Sequence, residues 1–293
     1  MFDRLKTAEP GDAVIDAIGH VDDALAAGRM PIVRDDEIVL MFSGGIDSTA
    51  TAVMLAEQYR RVHLVTYRNG YGHYYFHRTR KRVEELNERL GERFTWRLMS
   101  TKADFDTLLV RDVLKDYREF RSGFIWFMGC KMAMHMRSAM YCLENGILTM
   151  SDGSNEDTSE MVEQMLISLT LIRSFYDRYG VTFGTPVYDV ARDTSRQMIA
   201  DLGLKMGVQV MDRHLCIQPT CLAGELYYMP YVIFNKRVKH EEAEVARFIR
   251  VKAEIAHRVM VEAFRRRGVD LDVLLADRQK QIEALEKARA ATA

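Results

Sequence analysis

The densest chemistry in the sequence lies at Ser43, Gly44, Gly45, Ile46, Asp47, Ser48 and Thr49, between a short apolar run and a helix-patterned stretch from Ala50. Two adjacent glycines let a backbone turn tightly and approach a ligand with no Cβ in the way. The free N–H groups and positive end of the following helix then face whatever sits there, which suits an anion such as a phosphate. Ser43, Ser48 and Thr49 add hydroxyl donors, and Asp47 can hold a cation beside the phosphates. The loop lacks the lysine of a Walker motif, so it is not that motif.

Four cysteines form the second set: Cys130, Cys142, Cys216 and Cys221. Cys130 stands at the start of a helix pattern running from Lys131 to Leu143, where a helix N-terminus would lower a thiol pKa and favour the nucleophilic thiolate. Cys216 and Cys221 flank Pro219 in a loop expected beyond a strand, a position that suits a site. Cys142 sits about 120° round the helix from Cys130, between Tyr141 and Leu143, and reads as core. Two other uses stay open. Zinc would find four acceptable ligands in Cys130, Cys216, Cys221 and either His135 or His214, although the spacing is not that of a zinc ribbon. All four cysteines would also serve as packing, since free cysteine is often buried.

The elements that must position these residues follow from periodicity. Strand-length apolar runs occur at Glu37 to Phe42, Val62 to Tyr67, Phe94 to Met99 and Ile147 to Met150, separated by helix-length segments. That alternation is βαβα order and predicts an α/β fold with a doubly wound parallel sheet. Ligands of such sheets sit beyond the carboxyl ends of the strands, where the glycine loop falls. Val14, Ile15, Ile18, Val21 and Leu25 predict a lead-in helix over residues 12–27, and Thr194 to Leu204 predicts another helix. From Glu241 to Phe264 the spacing predicts a long amphipathic helix, with a further helix after Gly268. The expected organisation is one α/β domain over residues 1–230 and a helical C-terminal extension over 231–293.

With 41 basic and 42 acidic side chains among 293 residues, no whole-molecule field points to a polyanionic partner, so any nucleic-acid surface must be local. Two segments qualify. Tyr67 to Arg82 interleaves tyrosines and histidines with arginines that would stack on a base and neutralise phosphates, or merely form a packed loop and a solvated first turn. Lys236 to Arg267 carries ten basic and five acidic residues, with Arg247, Arg250 and Arg258 roughly on one face. The methionines at 128, 132, 134, 136 and 140 mark a pliable core helix. No apolar run reaches the roughly 18 residues of a membrane span, and the first residues lack the apolar core of a secretory signal, so a cytoplasmic location with reduced thiols is expected.

The stretch Ser43 to Ser48 resembles the SGGxDS fingerprint of the PP-loop ATP pyrophosphatases, enzymes that adenylate a substrate and release pyrophosphate. The resemblance extends more weakly to Gly153 and Asp157, after the fourth strand run, and to the segment Thr185 to Leu204, where Asp193 or a neighbour replaces the usual lysine. It implies the Rossmann-like, adenine nucleotide alpha hydrolase type of fold, with ATP and Mg²⁺ held by Ser43, Gly44, Gly45, Asp47, Ser48, Thr49, Thr66, Gly153 and Asp157. One thiol near the middle and another some ninety residues on resembles the sulfur-inserting branch that includes the tRNA thiolases. Cys130, Cys221 and Cys216 would then deliver sulfur, with Asp47 among the catalytic residues. In that branch one thiolate carries a persulfide and another releases the sulfur, or three cysteines hold a [4Fe-4S] cluster with one iron open.

The implied reaction is adenylation of a carbonyl-type oxygen on a nucleobase or small heterocycle, followed by displacement of AMP by sulfur from a separate donor. An amide-forming ligase using ammonia, or a non-catalytic nucleotide-binding subunit, are the alternatives. Balanced charge and no recognisable RNA-binding module tilt the expectation toward a small acceptor over a whole tRNA, with a homodimer through the C-terminal helices possible.

Overall fold

The computed structural model describes residues 14–19, 24–25, 27–204, 220–234 and 238–292. Six strands form one sheet in the order β1-β5-β3-β2-β6-β7. They are β1 (Val14–Ile18), β2 (Arg34–Met41), β3 (Arg61–Arg68), β5 (Phe94–Ser100), β6 (Ile147–Ser151) and β7 (Thr182–Gly184). All pair in parallel except β1, which runs antiparallel along β5. From β2 the chain proceeds outward through β3 to β5, then crosses to β6 and β7 on the other side of β2. The reversal between β2 and β6 opens a crevice at the strands' carboxyl ends.

Alternation along the central strands divides the apolar side chains between two layers. Ile38, Leu40 and Phe42 face the layer of α1 (Ile46–Gln58), α2 (Arg78–Leu90) and α7 (Arg192–Asp201), while Val39 and Met41 face the opposite layer. The opposite layer centres on α5 (Phe124–Glu144), with α6 (Leu166–Asp177) and α9 (Glu242–Arg266) packed against it. The methionines at 128, 132, 136 and 140 are fully buried there, as a core helix requires.

The α9 helix sends Val245, Phe248, Ile249, Ala256, Met260 and Phe264 into this same core, and its Lys252 Nζ donates to Asp116 Oδ2 at 2.5 Å in the interior. Asp116 belongs to α4 (Val113–Phe120), which follows α3 (Lys102–Leu108). On the outer surface Arg247 is engaged by Glu119 and Glu244 and lies over the Phe120 ring. The last helix, α10 (Leu271–Thr292), buries Leu271, Leu274 and Arg278. Among the described residues no helix is long and apolar enough to cross a membrane.

The lead-in helix is not formed at its start: Val14–Ile18 is an edge strand, with Val14 opposite Met99 and Ile18 opposite Trp96. In so short an element, apolar residues at 14, 15 and 18 satisfy either period, and tertiary partners decide. Arg80 clamps Asp16 at 2.7 Å, and Arg97 donates to the carbonyls of Ile18 and Gly19 at 3.2 and 3.0 Å. Gly19, at φ +77°, then turns the chain out of the strand.

Two shorter strands complete the site. β4 (His73–Tyr74) follows β3 across Gly70 and Gly72, and β8 (Thr220–Cys221) pairs with it antiparallel. The α8 helix (Leu222–Ile233) begins directly after Cys221.

Candidate functional site

The glycine loop leaves β2 at the centre of the sheet. Phe42 N–H donates to the Val65 carbonyl at 2.8 Å, and Gly44 takes φ +72°, so that Gly45 caps α1. Gly45 has no side chain with which to cap the helix, which leaves the N–H groups of the first turn directed at the crevice. Ser43 Oγ and Ser48 Oγ lie 3.0 Å apart, Ser43 Oγ accepts from the Gly45 N–H at 3.3 Å, and Ser48 Oγ donates to the Gly45 carbonyl at 3.3 Å. Ser48 is thus a brace of the loop.

Gly153, in the loop after β6, packs onto this brace. A Cβ on it would stand 2.7 Å from Ser48 N and 2.8 Å from Ser48 Cα, closer than real side chains approach. The backbone of α1 cannot yield without moving the anion-facing N–H groups. Gly153→Ala will therefore lower the thermal midpoint, at a cost of about 1–3 kcal/mol, and weaken nucleotide binding measured by titration.

A cavity of about 390 Å³ opens between the two loops. Ser43, Gly45, Asp47, Ser48, Thr66, Gly153, Cys130 and Cys221 all line it, so residues from both expected sets meet at one place. The volume is that of a small-ligand site. Gly44 shapes the loop without lining the cavity, and Thr66 commits its hydroxyl, which donates to the Phe42 carbonyl at 2.8 Å and accepts from Trp96 Nε1 at 3.0 Å.

Thr49 and Asp157, expected at the nucleotide, do not line the cavity. Thr49 points into the fold with its hydroxyl unpartnered, and Asp157 Oδ2 accepts from the Arg192 N–H at 3.2 Å, serving the start of α7.

Burial raises the Asp47 carboxyl above its ordinary value, and nearby Asp157 adds to this while Arg192 opposes it. Arg192 Nε stands 3.6 Å from Asp47 Oδ2, and Asp47 Oδ1 is buried with no partner among the described residues. Arg192 also lines the cavity and puts a cation beside Asp47. Deeper in, Lys131 pairs with Asp152 at 2.6 Å; burial alone would raise Asp152, but Lys131 outweighs it and holds the carboxyl low.

The thiols differ from the sequence expectation. Cys130 lies in the second turn of α5, which starts at Phe124, so no helix terminus faces it. It is buried, Asn69 Nδ2 donates to its sulfur at 3.2 Å, and burial pushes its pKa up to about 12 despite that bond. The thiol at a helix N-terminus is Cys221. Its sulfur accepts from the N–H groups of Ala223 and Gly224 at the start of α8, although burial and nearby Glu163 and Glu225 leave its pKa raised overall. Cys142 is fully buried, as expected of a packing residue.

Cys216 and His214 lie outside the described residues. His135 does not reach the cavity: its Nδ1 meets the Tyr176 hydroxyl at 3.0 Å and its ring packs against Tyr176 and Phe183. Among the described residues no three His, Cys, Asp or Glu side chains converge on one metal position. Cys130 and Cys221 are the described thiols that line the cavity.

The chain is similar in fold to solved RNA-modifying proteins. One is a protein described as a predicted subunit of tRNA methyltransferase from Methanocaldococcus jannaschii, at 17% identity and TM-score 0.38, covering 56% of this chain and 75% of that one. Another is a 4-thiouridine synthetase solved with RNA and bound ATP, at 17% identity and TM-score 0.48, covering 78% of this chain. This chain spans only 53% of that synthetase. A third is the U34-tRNA thiolase NcsA from Methanococcus maripaludis with its [4Fe-4S] cluster, at 15% identity and TM-score 0.43, covering 76% and 74% of the two chains. By sequence, no protein family and no curated protein matches.

Several cavity residues carried no signal of their own in the sequence: Lys131, Asp152, Arg192, His73 and Glu163. Glu163 sits in a single 3-10 turn, Val162–Gln164, with Oε2 buried and unpartnered; burial raises its carboxyl, with Lys131 opposing. His73 is one of two histidines in the Tyr67–Arg82 run, and only the β4–β8 pairing brings it to Cys221.

Proposed function

We propose that the protein is an ATP-dependent sulfurtransferase of the PP-loop type, which adenylates a carbonyl-type oxygen on a nucleobase, releases pyrophosphate and replaces the oxygen with sulfur. The observation that carries this reading is the shared cavity: an anion-facing Ser-Gly-Gly loop and two thiols line one space. Adenylation turns a poor leaving group into AMP, and aligned N–H groups stabilise charge that develops on the departing pyrophosphate. Asp47 offers the free buried oxygen that suits Mg²⁺, a hard cation that takes oxygen ligands, and Mg²⁺ would supply charge neutralisation at the phosphates. Arg192 adds a fixed cation, and Lys131 with Asp152 forms a polar wall.

The cavity volume suits a single small-molecule ligand, so with the nucleotide inside, the acceptor base must be presented from outside. Beside His73 the side chains of Tyr74 and Tyr75 are half exposed, and Arg78 lies over the Tyr75 ring at 4.2 Å. Exposed rings backed by a cation form a stacking surface for a base. This supports a base carried on a polynucleotide over a small free heterocycle, against the tilt drawn from overall charge.

The test is pyrophosphate release from ATP and Mg²⁺ with and without bulk tRNA, together with tRNA binding across salt concentrations. RNA-stimulated release and affinity that falls steeply with salt are expected, because each neutralised phosphate releases counterions. Pyrophosphate release indifferent to RNA, with salt-independent binding, would remove the polynucleotide acceptor.

A further inference from the structure

We propose that His73 is the proton acceptor of Cys221, the two residues forming a cysteine–histidine pair in the cavity wall. His73 and Cys221 are direct partners across the antiparallel β4–β8 ribbon, and both line the cavity. Opposed residues in such a ribbon hold their Cβ atoms roughly 4.5–5.5 Å apart on one face. Gly72 permits the approach: at φ +73° its carbonyl accepts from the Leu222 N–H at 2.9 Å, and a Cβ there would stand 3.1 Å from Leu222 Cβ.

The ring's tautomer is fixed by its surroundings. Among the described residues its hydrogen bond goes to the Tyr67 backbone, and Nδ1 is buried with no partner. Nε2–H therefore donates to the Tyr67 carbonyl, and Nδ1 presents a bare lone pair. Burial draws the ring's pKa down to about 4, which leaves it neutral and a weak base, so it takes the thiol's proton only as the new sulfur–sulfur bond forms. On the other side of the sulfur, the N–H groups of Ala223 and Gly224 hold the charge that the thiol gains as it loses its proton.

A nucleophile, a base oriented by a third group and a local anion cradle are the elements of an activated cysteine. With a persulfide donor R–S–SH, the Cys221 sulfur bonds to the donor's outer sulfur as its proton passes to His73 Nδ1. The donor's S–S bond breaks, and R–S⁻ leaves and takes the proton from His73. One S–S bond forms as one breaks, leaving Cys221–S–SH and R–SH with no net oxidation.

The chemical outcome rests on the sulfur-transfer reading, but the pair itself is tested without turnover. Site-resolved labelling by iodoacetamide, followed by mass spectrometry on the full-length protein, gives the Cys221 rate, with the thermal midpoint as the fold control. His73→Gln keeps an amide N–H for the Tyr67 carbonyl and removes the lone pair at Nδ1. His73→Asn places an amide oxygen near Nδ1 but cannot take a proton. Both are expected to slow Cys221 labelling by about tenfold or more. Unchanged labelling in both variants overturns the pair, and normal labelling in His73→Asn with slow labelling in His73→Gln reduces His73 to an orienting acceptor and overturns its basic role. Slowed labelling in both supports the pair. If sulfur incorporation nonetheless persists in those variants, the pair stands and the reading of Cys221 as sulfur carrier is what fails.

Discussion

Asp47→Asn will abolish most pyrophosphate release while ATP still binds. The carboxylate is buried, one oxygen faces Arg192 at 3.6 Å, and the other has no partner among the described residues. A buried carboxylate oxygen without a donor is costly unless a cation or donor meets it during the working cycle. The amide keeps the shape but loses the charge that would position Mg²⁺. The loss falls on the step in which charge moves onto pyrophosphate, so kcat should drop by roughly 10²–10³-fold with little change in nucleotide affinity. Ser48→Ala should behave differently, because its hydroxyl already donates to the Gly45 carbonyl and faces Ser43. Its loss should loosen the loop by about one hydrogen bond, roughly 1 kcal/mol, seen mainly as weaker ATP binding. Nucleotide titration and pyrophosphate release measured on both variants separate the two. Intact release in Asp47→Asn would make the loop structural and remove the adenylation reading.

The sheet was legible because buried parallel strands advertise themselves. The run at Glu37 is apolar on both faces, those at Val62, Phe94 and Ile147 are mostly apolar and of strand length, and each became a strand within a few residues of its expected ends. The loop was legible for a different reason: Gly44 and Gly45 before a helix pattern answer a backbone demand that other residues meet poorly. The first element failed because its five residues carry too little periodicity to choose between helix and edge strand, and the choice was made by Arg80 and Arg97, remote in sequence.

The polar side of the cavity was mostly hidden. Lys131 next to Cys130 is one more charged residue in a helix, and only its bond to Asp152, 21 residues on, identifies it as cavity wall. The two thiols exchanged roles for a similar reason. A helix start is set by capping and by the turn before it, so the helix of Cys130 began six residues earlier, at Phe124. The Pro219 loop gave no sign that a helix opens directly after Cys221. Arg192 stands beside Asp193 at the start of α7, and nothing in the sequence marked it as a residue of the cavity.

Cys221→Ser will stop sulfur incorporation while pyrophosphate release continues, and Cys130→Ser will stop it at a later stage. The distinction follows from where the sulfurs sit. Cys221 is only partly buried, at the start of α8 with two N–H groups on its sulfur, so it is the thiol that a donor can reach. Cys130 is buried on the same cavity, close enough that the Cys221 charge disfavours its own ionisation, and is placed to attack a sulfur already brought in. A persulfide on Cys221 would then displace AMP from the activated base through its outer sulfur. Cys130 would attack the Cys221 sulfur, releasing the thiolated base and leaving a Cys130–Cys221 disulfide for a thiol reductant to open. Cys130→Ser should therefore accumulate acceptor joined to Cys221 through a disulfide, visible by mass spectrometry and cleaved by dithiothreitol. Cys221→Ser should accumulate no such disulfide adduct, and product should fall by roughly 10³-fold or more in both, as expected when a covalent nucleophile is removed. Wild-type enzyme without reductant should stop after about one turnover per chain. If both variants instead form a product from ammonia and ATP at the wild-type rate, the thiols are bystanders and the chain joins amines rather than sulfur to its adenylated acceptor.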